Sequence, residues 1–119
     1  MDAKSNNSNK INCWGTGNPL REFLYVDDLS EAILFIIEND IDIDLLNIGS
    51  GVEISISNLS SLIKDIIEFK GVIHFDTTMP NGNPRKLLDS SKINDLGWTS
   101  KTSLEEGISK TYKWYLENI

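Results

Sequence analysis

Four side chains could together hold an anionic ligand: Trp14, Arg21, Arg85 and Lys86. Arg21 follows one turn rich in Gly and Pro, and the other two cations follow a second such turn. Arg presents a planar fork to phosphate oxygens, so cations at loop ends of an otherwise acidic chain suit a pyrophosphate. The indole offers a flat apolar surface for a sugar or a base. Taken singly, such residues are more often surface charges or core aromatics, so the grouping is a hypothesis.

Two glycines, Gly49 and Gly51, suggest a different chemistry, dinucleotide binding, because they follow an apolar stretch. A phosphate-binding fingerprint needs a third Gly three residues later, and Ile54 stands there. The next predicted helix also begins too late for its N-terminus to meet a phosphate. We therefore expect the two glycines to serve a tight turn.

Nucleophilic and metal chemistry find little support in the sequence. His74 is the only histidine, so no Ser/His/Asp arrangement is apparent, and we expect a partly exposed strand residue there. Cys13 has no obvious activating neighbour and is expected to be a small packing residue. The sequence shows no spacing of metal ligands. We therefore expect no catalytic, cofactor-binding or metal residue in this chain.

The composition excludes several classes of partner. The formal net charge is −7 over 119 residues, which argues against non-specific binding to nucleic acid or to an anionic membrane. That length fits one domain with its own core. Cys13 is the only cysteine, so no internal disulfide is possible and a cytoplasmic location is expected. No apolar run approaches the roughly 20 residues that span a bilayer, and the polar start is unlike a secretion signal.

Alternating short strands and helices position the candidate residues. Strand-like stretches are predicted at Lys10–Trp14 and at residues 23–26, 45–48, 72–75 and 86–88. Helices are predicted over residues 28–39, after Ser57 to about residue 70, over residues 90–96, and from Ser103 onward. This order predicts an α/β fold, a small mixed sheet with packed helices. Residues 1–9 are expected to be a disordered or frayed start, and residues 10–119 the domain.

Capping patterns and apolar spacing describe the helices further. Asp27 or Asp28 is the expected N-cap of the first helix, with Glu31 completing a capping box, and Ser103 with Glu106 forms another. Each helix also has a face expected to be buried. These faces comprise Leu29, Ala32, Ile33, Ile36 and Ile37 in the first long helix, Leu59, Leu62, Ile63, Ile66 and Ile67 in the second, and Leu104, Ile108, Tyr112 and Tyr115 in the last.

Several motifs, taken in order, resemble those of one family. Residues 21–28 (REFLYVDD) and 47–51 (NIGSG) are shared widely among nucleotide-sugar epimerases, dehydratases and reductases. Residues 14–19 (WGTGNP) and 80–89 (PNGNPRKLLD) are more discriminating, as is the last helix. Nearly the whole chain resembles the C-terminal substrate lobe of the GDP-L-fucose synthases, which are extended short-chain dehydrogenase/reductases.

The resemblance implies an activity. That family epimerises GDP-4-keto-6-deoxy-D-mannose and then reduces it with NADPH to GDP-L-fucose. NADP and the catalytic groups would belong to a Rossmann half that is absent here, since no tyrosine is followed four residues later by the lysine of the reductase pair. The chain alone is therefore expected to be inactive. Two alternatives stay open: a stand-alone, non-catalytic nucleotide-sugar-binding module, or part of another nucleotide-sugar epimerase or dehydratase.

The resemblance also implies the contacts. The GDP-sugar is expected to meet Trp14, Arg21, Asn81 and Lys86, in a cleft between the two turns. The family usually has Asp where this chain has Asn81, which can still hydrogen bond a ribose hydroxyl but carries no charge. The expected partners are the GDP-sugar and the missing Rossmann half. An apolar patch exposed near the start of the chain and around residues 14–21 would support self-association.

Overall fold

A computed structural model describes residues 8–119 and confirms a mixed α/β fold with small sheets and helices. The strands are Lys10–Trp14 (β1), Leu20–Glu22 (β2), Glu53–Ser55 (β3), Val72–Asp76 (β4) and Arg85–Lys86 (β5). The helices are Val26–Glu38 (α1), Ile56–Ile66 (α2), Ser91–Asp95 (α3) and Leu104–Asn118 (α4). Within the described residues, no helix is long and apolar enough to cross a membrane.

The strands form two small sheets. β1 and β4 run parallel, in a register that pairs Lys10 with Val72 and Trp14 with Asp76. The other sheet has the order β3-β2-β5, and its β2–β5 pair is also parallel. Parallel strands must be joined by long crossovers, so both pairings connect residues about 60 positions apart in the chain.

The chain divides into two compact units. Unit 1 consists of the described residues up to Arg21 together with Ile54–Lys86, and unit 2 consists of Glu22–Glu53 and Leu87–Ile119. All four predicted site residues lie in unit 1. Residues 1–7, most of the segment expected to be frayed, lie outside the described residues. The single domain expected over residues 10–119 stays a prediction.

The core of unit 2 is built from helices α1 and α3 and the segment after α3. Ala32, Ile93 and Trp98 are its buried members, and five half-buried residues pack against them: Leu24, Phe35, Ile36, Leu46 and Ile48. The buried stripe of α1 is therefore rotated from the expected one. The prediction was right for Ala32 and Ile36 but wrong for Leu29, Ile33 and Ile37, whose side chains are 40%, 48% and 65% exposed.

The predicted cap of α1 is wrong. The helix begins at Val26, and Tyr25 precedes it without a side-chain capping bond. Asp28 lies inside the first turn, where it is buried and accepts hydrogen bonds from Lys101 N (3.0 Å), Thr102 N (2.9 Å) and Thr102 Oγ1 (2.7 Å). A tertiary contact replaces the local cap, because this carboxylate binds backbone N–H groups 73 and 74 residues further along the chain.

The other helix predictions hold more closely. Ser103 caps α4 by accepting from Glu106 N at 3.2 Å, as the capping pattern predicted. The four residues expected on the buried face of α4 are all half-buried. Helix α2 begins one residue before Ser57, and Ser55 is its N-cap, accepting from Asn58 N at 3.1 Å. Local spacing and capping chemistry were sufficient for α4, whereas α2 ends at Ile66, short of the expected end near residue 70, and Ile63 on its expected buried face is 36% exposed.

The predicted strand over residues 45–48 is wrong. The structure assigns no strand there, although Leu46 and Ile48 alternate onto the core of unit 2. Leu45 is 73% exposed, so the segment is covered on one side only. A strand is defined by its neighbour, and none of the described strands pairs with this segment.

Candidate functional site

Two loops of unit 1 are hydrogen bonded to each other, and the predicted site residues lie on or next to them. The first loop is residues 15–19 and the second is residues 80–84. Thr16 donates twice to Asn81 Oδ1, from its backbone N (2.6 Å) and from Oγ1 (2.9 Å). Leu20 N donates to Pro84 O at 2.9 Å, where β2 and β5 begin. The structure therefore brings together two segments about 65 residues apart in the chain.

The glycines of the first loop permit this close approach. Gly15 and Gly17 both have φ near +78°, a conformation that side chains other than glycine rarely adopt. A Cβ atom on Gly15 would overlap Asn81 Oδ1, and one on Gly17 would lie 2.7 Å from the Phe75 ring. Gly17 O also accepts from Ser57 N at 2.8 Å. The shape of the first loop thus depends on glycine at both positions.

Arg21 and Lys86 occupy matching positions on neighbouring strands. They are Cα partners in the parallel β2–β5 pair, and partners in register present their side chains on the same face of a sheet. The Arg21 guanidinium donates to Leu20 O (2.6 Å) and to Asn83 O (2.8 Å), so it also holds the second loop. Arg carries five N–H donors in all, more than these two bonds use. Two cationic residues therefore lie side by side on neighbouring strands at the edge of the loops.

The remaining candidates in unit 1 lie near these loops or in the β1–β4 sheet. Trp14 ends β1, immediately before the first loop, and its side chain is 68% exposed. His74 is exposed on β4, and Cys13 is half-buried on β1 opposite Phe75. Both match the structural roles expected for them. Among the described residues, no group of three or more His, Cys, Asp or Glu side chains could hold a metal ion.

The residues at Gly49 and Gly51 do not fit a dinucleotide. The Glu22 carboxylate fills the turn, accepting from Gly51 N at 2.6 Å and, through its other oxygen, from Leu88 N at 3.1 Å. A Cβ atom on Gly49 would overlap that carboxylate. A phosphate would need the same N–H groups and would meet a negative charge. The described residues therefore offer no site for the phosphates of NADP here.

The first turn of α2 is also occupied by protein groups. Ile56 N donates to Pro19 O at 3.1 Å, and the next two backbone N–H groups donate to Gly17 O and to the Ser55 side chain. A helix N-terminus binds an anion through such free donors. These hydrogen bonds instead fasten the helix to the first loop.

Tyr25 lies beside a lysine in space, but the pair is not set up as a proton donor. Lys110 Nζ is 5.4 Å from the centre of the Tyr25 ring, and Gly107 packs against the same ring. Burial, followed by the charge and hydrogen bond of Asp27, raises the pKa of the Tyr25 phenol above its usual value. That shift is opposite to the one that would let a phenol exchange a proton near neutral pH.

Two residues that hold distant segments together were not predicted from the sequence. Thr16 fixes the Asn81 side chain, and its position between two glycines of the first loop was the available signal. Glu22 links Gly51 to Leu88 within unit 2, and nothing in the sequence indicated this bridge. Both act by accepting or donating hydrogen bonds across long stretches of chain.

Comparisons with known proteins agree on one group of enzymes. The family model described as the NAD dependent epimerase/dehydratase family matches residues 1–49. The chain is 52% identical over 118 residues to a putative GDP-L-fucose synthase 2 of Arabidopsis thaliana, covering 99% of this chain and 36% of that protein. It is 38% identical to the GDP-L-fucose synthase of Escherichia coli, covering 98% of this chain and 39% of that protein.

A solved structure of a GDP-L-fucose synthetase is also similar to this chain. The GDP-L-fucose synthetase of Naegleria fowleri bound to NADP superimposes with a TM-score of 0.86 at 29% identity, over 98% of this chain and 37% of that one. The chain thus spans little more than a third of the length of the relatives it matches. These matches confirm the resemblance inferred from the motifs: over nearly its whole length, the chain is similar in sequence to GDP-L-fucose synthases.

Proposed function

We propose that the chain is the substrate-binding portion of a GDP-L-fucose synthase, an enzyme that epimerises GDP-4-keto-6-deoxy-D-mannose and reduces it with NADPH to GDP-L-fucose. The observation that carries this proposal is the pairing of Arg21 with Lys86 at the junction of the two loops. Neighbouring cations on one face of a short sheet suit a diphosphate, which carries several negative oxygens close together. The high identity to GDP-L-fucose synthases supports GDP as the nucleotide.

Each site residue has a role in this proposal. The guanidinium of Arg21 grips pyrophosphate oxygens, and Lys86 adds a second charge. The exposed indole of Trp14 offers its face to the sugar or the base. Asn81 hydrogen bonds a ribose hydroxyl. The two loops are already tied together by Thr16 and Arg21, so little ordering is needed when the ligand arrives.

The chemistry itself is assigned to residues outside this chain. Glu22 fills the glycine turn, and the pKa of the Tyr25 phenol is raised, so neither the turn nor Tyr25 suits cofactor binding or proton transfer. We place NADP and the catalytic groups in a Rossmann half and the C-terminal substrate lobe in this chain. The 119-residue chain alone should not oxidise NADPH in the presence of a 4-keto sugar. The check is the absorbance of the reduced nicotinamide, which should stay constant. A cytoplasmic location fits such an enzyme.

An exposed apolar surface in unit 2 is the proposed contact with that Rossmann half. Five large apolar residues of α1 are at least 40% exposed: Val26, Leu29, Ile33, Leu34 and Ile37. The patch expected around residues 14–21 is smaller, because Gly15, Gly17 and Pro19 are buried and only Trp14 is strongly exposed there. Without a covering partner, α1 would be the surface through which chains self-associate.

The proposal is tested by GDP binding to the purified chain, measured by calorimetry. Replacing Arg21 by Ala removes a charge-assisted contact and should weaken binding by about 1.5–3 kcal/mol. Lys86→Ala should act in the same direction. Arg85→Ala is the matched control, because adjacent strand residues point to opposite faces. Equal effects at Arg85 and Lys86, or unchanged affinity in Arg21→Ala, would show that the site is assigned to the wrong residues.

A second candidate, another nucleotide-sugar epimerase or dehydratase, is favoured by the breadth of the matching family model. Competition between GDP- and UDP-sugars separates the two. Preference for UDP would move the chain to this second function. A stand-alone binding module would bind GDP and have no coding sequence for a Rossmann half joined to it in frame.

A further inference from the structure

We propose that Thr16 is a positioning residue that makes Asn81 a hydrogen-bond donor toward the nucleotide ribose, so that this chain reads the ribose with the polarity opposite to that of a carboxylate. The inference rests on the proposed function, because it concerns the same site. It begins with the two hydrogen bonds from Thr16 to Asn81 Oδ1, at 2.6 and 2.9 Å.

These bonds fix the orientation of the carboxamide. The backbone N–H of Thr16 can only donate, so the Asn81 atom that faces it must be the carbonyl oxygen, to which the Thr16 hydroxyl then also donates. The missing Cβ of Gly15 leaves room for that oxygen against the first loop. The other end of the amide, Nδ2, therefore faces away from Thr16. A freely rotating amide could present either end, whereas this one is held with its N–H₂ group outward.

The fixed amide lies close to the proposed phosphate contacts. Asn83, whose carbonyl accepts from Arg21 Nη2, is two residues from Asn81, a separation of at most about 7 Å along the chain. Asn81 is also exposed, so a ligand can reach it. A diphosphate held by Arg21 would carry its ribose within reach of Nδ2.

A carboxylate at this position would behave differently. Asp would accept the same two bonds from Thr16 with one oxygen and present the other oxygen outward, and an ionised carboxylate only accepts. A ribose hydroxyl must then donate its proton. With Asn, the hydroxyl oxygen accepts instead, and its proton is not needed. The contact is kept in both cases, but its direction is reversed.

The experiment compares GDP with GDP methylated on the ribose 2′ or 3′ oxygen, which keeps the acceptor and removes the proton. Dissociation constants are measured for the 119-residue chain and for Asn81→Asp. The methyl group adds the same bulk in the wild type and in Asn81→Asp. The ratio of their affinity losses on methylation therefore reports the contribution of the hydroxyl proton. For one of the two analogues, we expect methylation to cost Asn81→Asp about tenfold more affinity than it costs the wild type.

Two Thr16 variants test the positioning step. Thr16→Val removes the hydroxyl donor at constant shape and should weaken GDP binding about threefold. Thr16→Ser keeps the hydroxyl and should bind as the wild type does, which a purely steric role of Thr16 would not produce. Equal methylation losses in wild type and Asn81→Asp, with GDP still bound, would overturn this inference alone.

The outcomes for the two proposals are separable. Failure of the wild type to bind GDP would overturn the proposed function and the ribose contact with it. The fixed orientation of the Asn81 amide is then tested separately by hydrogen exchange of the Thr16 backbone N–H. This N–H should be protected in the wild type and in Asn81→Asp, and should lose protection in Asn81→Ala. An unprotected Thr16 amide in the wild type would refute the fixed orientation.

Discussion

In each unit of this molecule one side chain accepts hydrogen bonds from a distant turn, but the surroundings differ. In unit 1 the exposed, neutral Asn81 accepts from Thr16 N and Oγ1. In unit 2 the buried, charged Asp28 accepts from the backbone of Lys101 and from Thr102. The geometry is similar, yet burial makes the second contact structural, whereas exposure leaves the first available to a ligand. Burial, more than bonding pattern, separates the two roles.

The largest expected effect is at Asp28. Replacing it by Ala leaves two partly buried backbone N–H groups and one hydroxyl without an acceptor, and should lower the free energy of unfolding by about 4 kcal/mol. The measurement is urea unfolding followed by tryptophan fluorescence, to which Trp98, buried in the core of unit 2, contributes. Asn81→Ala is the matched variant from unit 1 and should cost about 1 kcal/mol, because water can replace the exposed acceptor. Equal losses would erase the contrast between the units.

Acid should weaken the Asp28 contact. Burial by itself raises the pKa of this carboxyl, but the hydrogen bonds from Thr102 and Lys101 outweigh it and hold the pKa below its usual value. A carboxyl with a lowered pKa stabilises the folded state fully when the pH is above its unfolded-state pKa of about 3.9. This stabilisation is lost as the pH falls through the folded-state pKa. The stability gap between the wild type and Asp28→Asn should therefore be constant from about pH 7 to 5 and narrow below about pH 4. A gap that widens in acid would contradict this assignment.

Two glycines sharpen the comparison at the level of the backbone. Gly17 in unit 1 and Gly51 in unit 2 both have positive φ, near +78° and +73°. A Cβ at Gly17 would strike the Phe75 ring, whereas nothing lies within 4 Å of one at Gly51. Gly17→Ala should cost about 3 kcal/mol from strain and overpacking, and Gly51→Ala about 1 kcal/mol from strain alone, in the same unfolding assay. Similar losses of unfolding free energy in the two variants would mean that the first loop shifts to make room for the added methyl group.

The smallest effect on stability is expected on the exposed face of α1. Ile37 is 65% exposed, so Ile37→Ser should change the free energy of unfolding by no more than about 0.5 kcal/mol. It should nevertheless reduce self-association in sedimentation velocity, since it removes apolar surface from the proposed contact with the Rossmann half. Ala32→Ser, at a buried position of the same helix, is the control. It should lower the free energy of unfolding and leave self-association unchanged. Unchanged association in Ile37→Ser would move the contact elsewhere.

Elements determined by local chemistry could be predicted from the sequence. The apolar spacing of α4 and the Ser103 cap act within a few residues, and both were found. Contacts across the chain could not be predicted in the same way. Asp28 was assigned to a local cap because its partners lie more than 70 residues away, and residues 45–48 were assigned to a strand because a sequence does not show whether a neighbouring strand exists.

The candidate site shows the same division. The identities of Trp14, Arg21, Asn81 and Lys86 followed from motifs, and they stay a prediction until a ligand is measured. Neither the register that pairs Arg21 with Lys86 nor the Thr16–Asn81 contact was visible in the motifs. Both depend on which two loops meet, which is a property of the folded chain.

The register of β2 and β5 has a consequence for the response to salt. It holds two like charges on strands about 4.8 Å apart, and like charges so placed repel each other when no anion lies between them. Dissolved counter-ions screen that repulsion, so added salt favours the empty sheet edge. The same screening weakens the attraction for a diphosphate. Ionic strength therefore acts in opposite directions on the stability of this edge and on its affinity for the nucleotide.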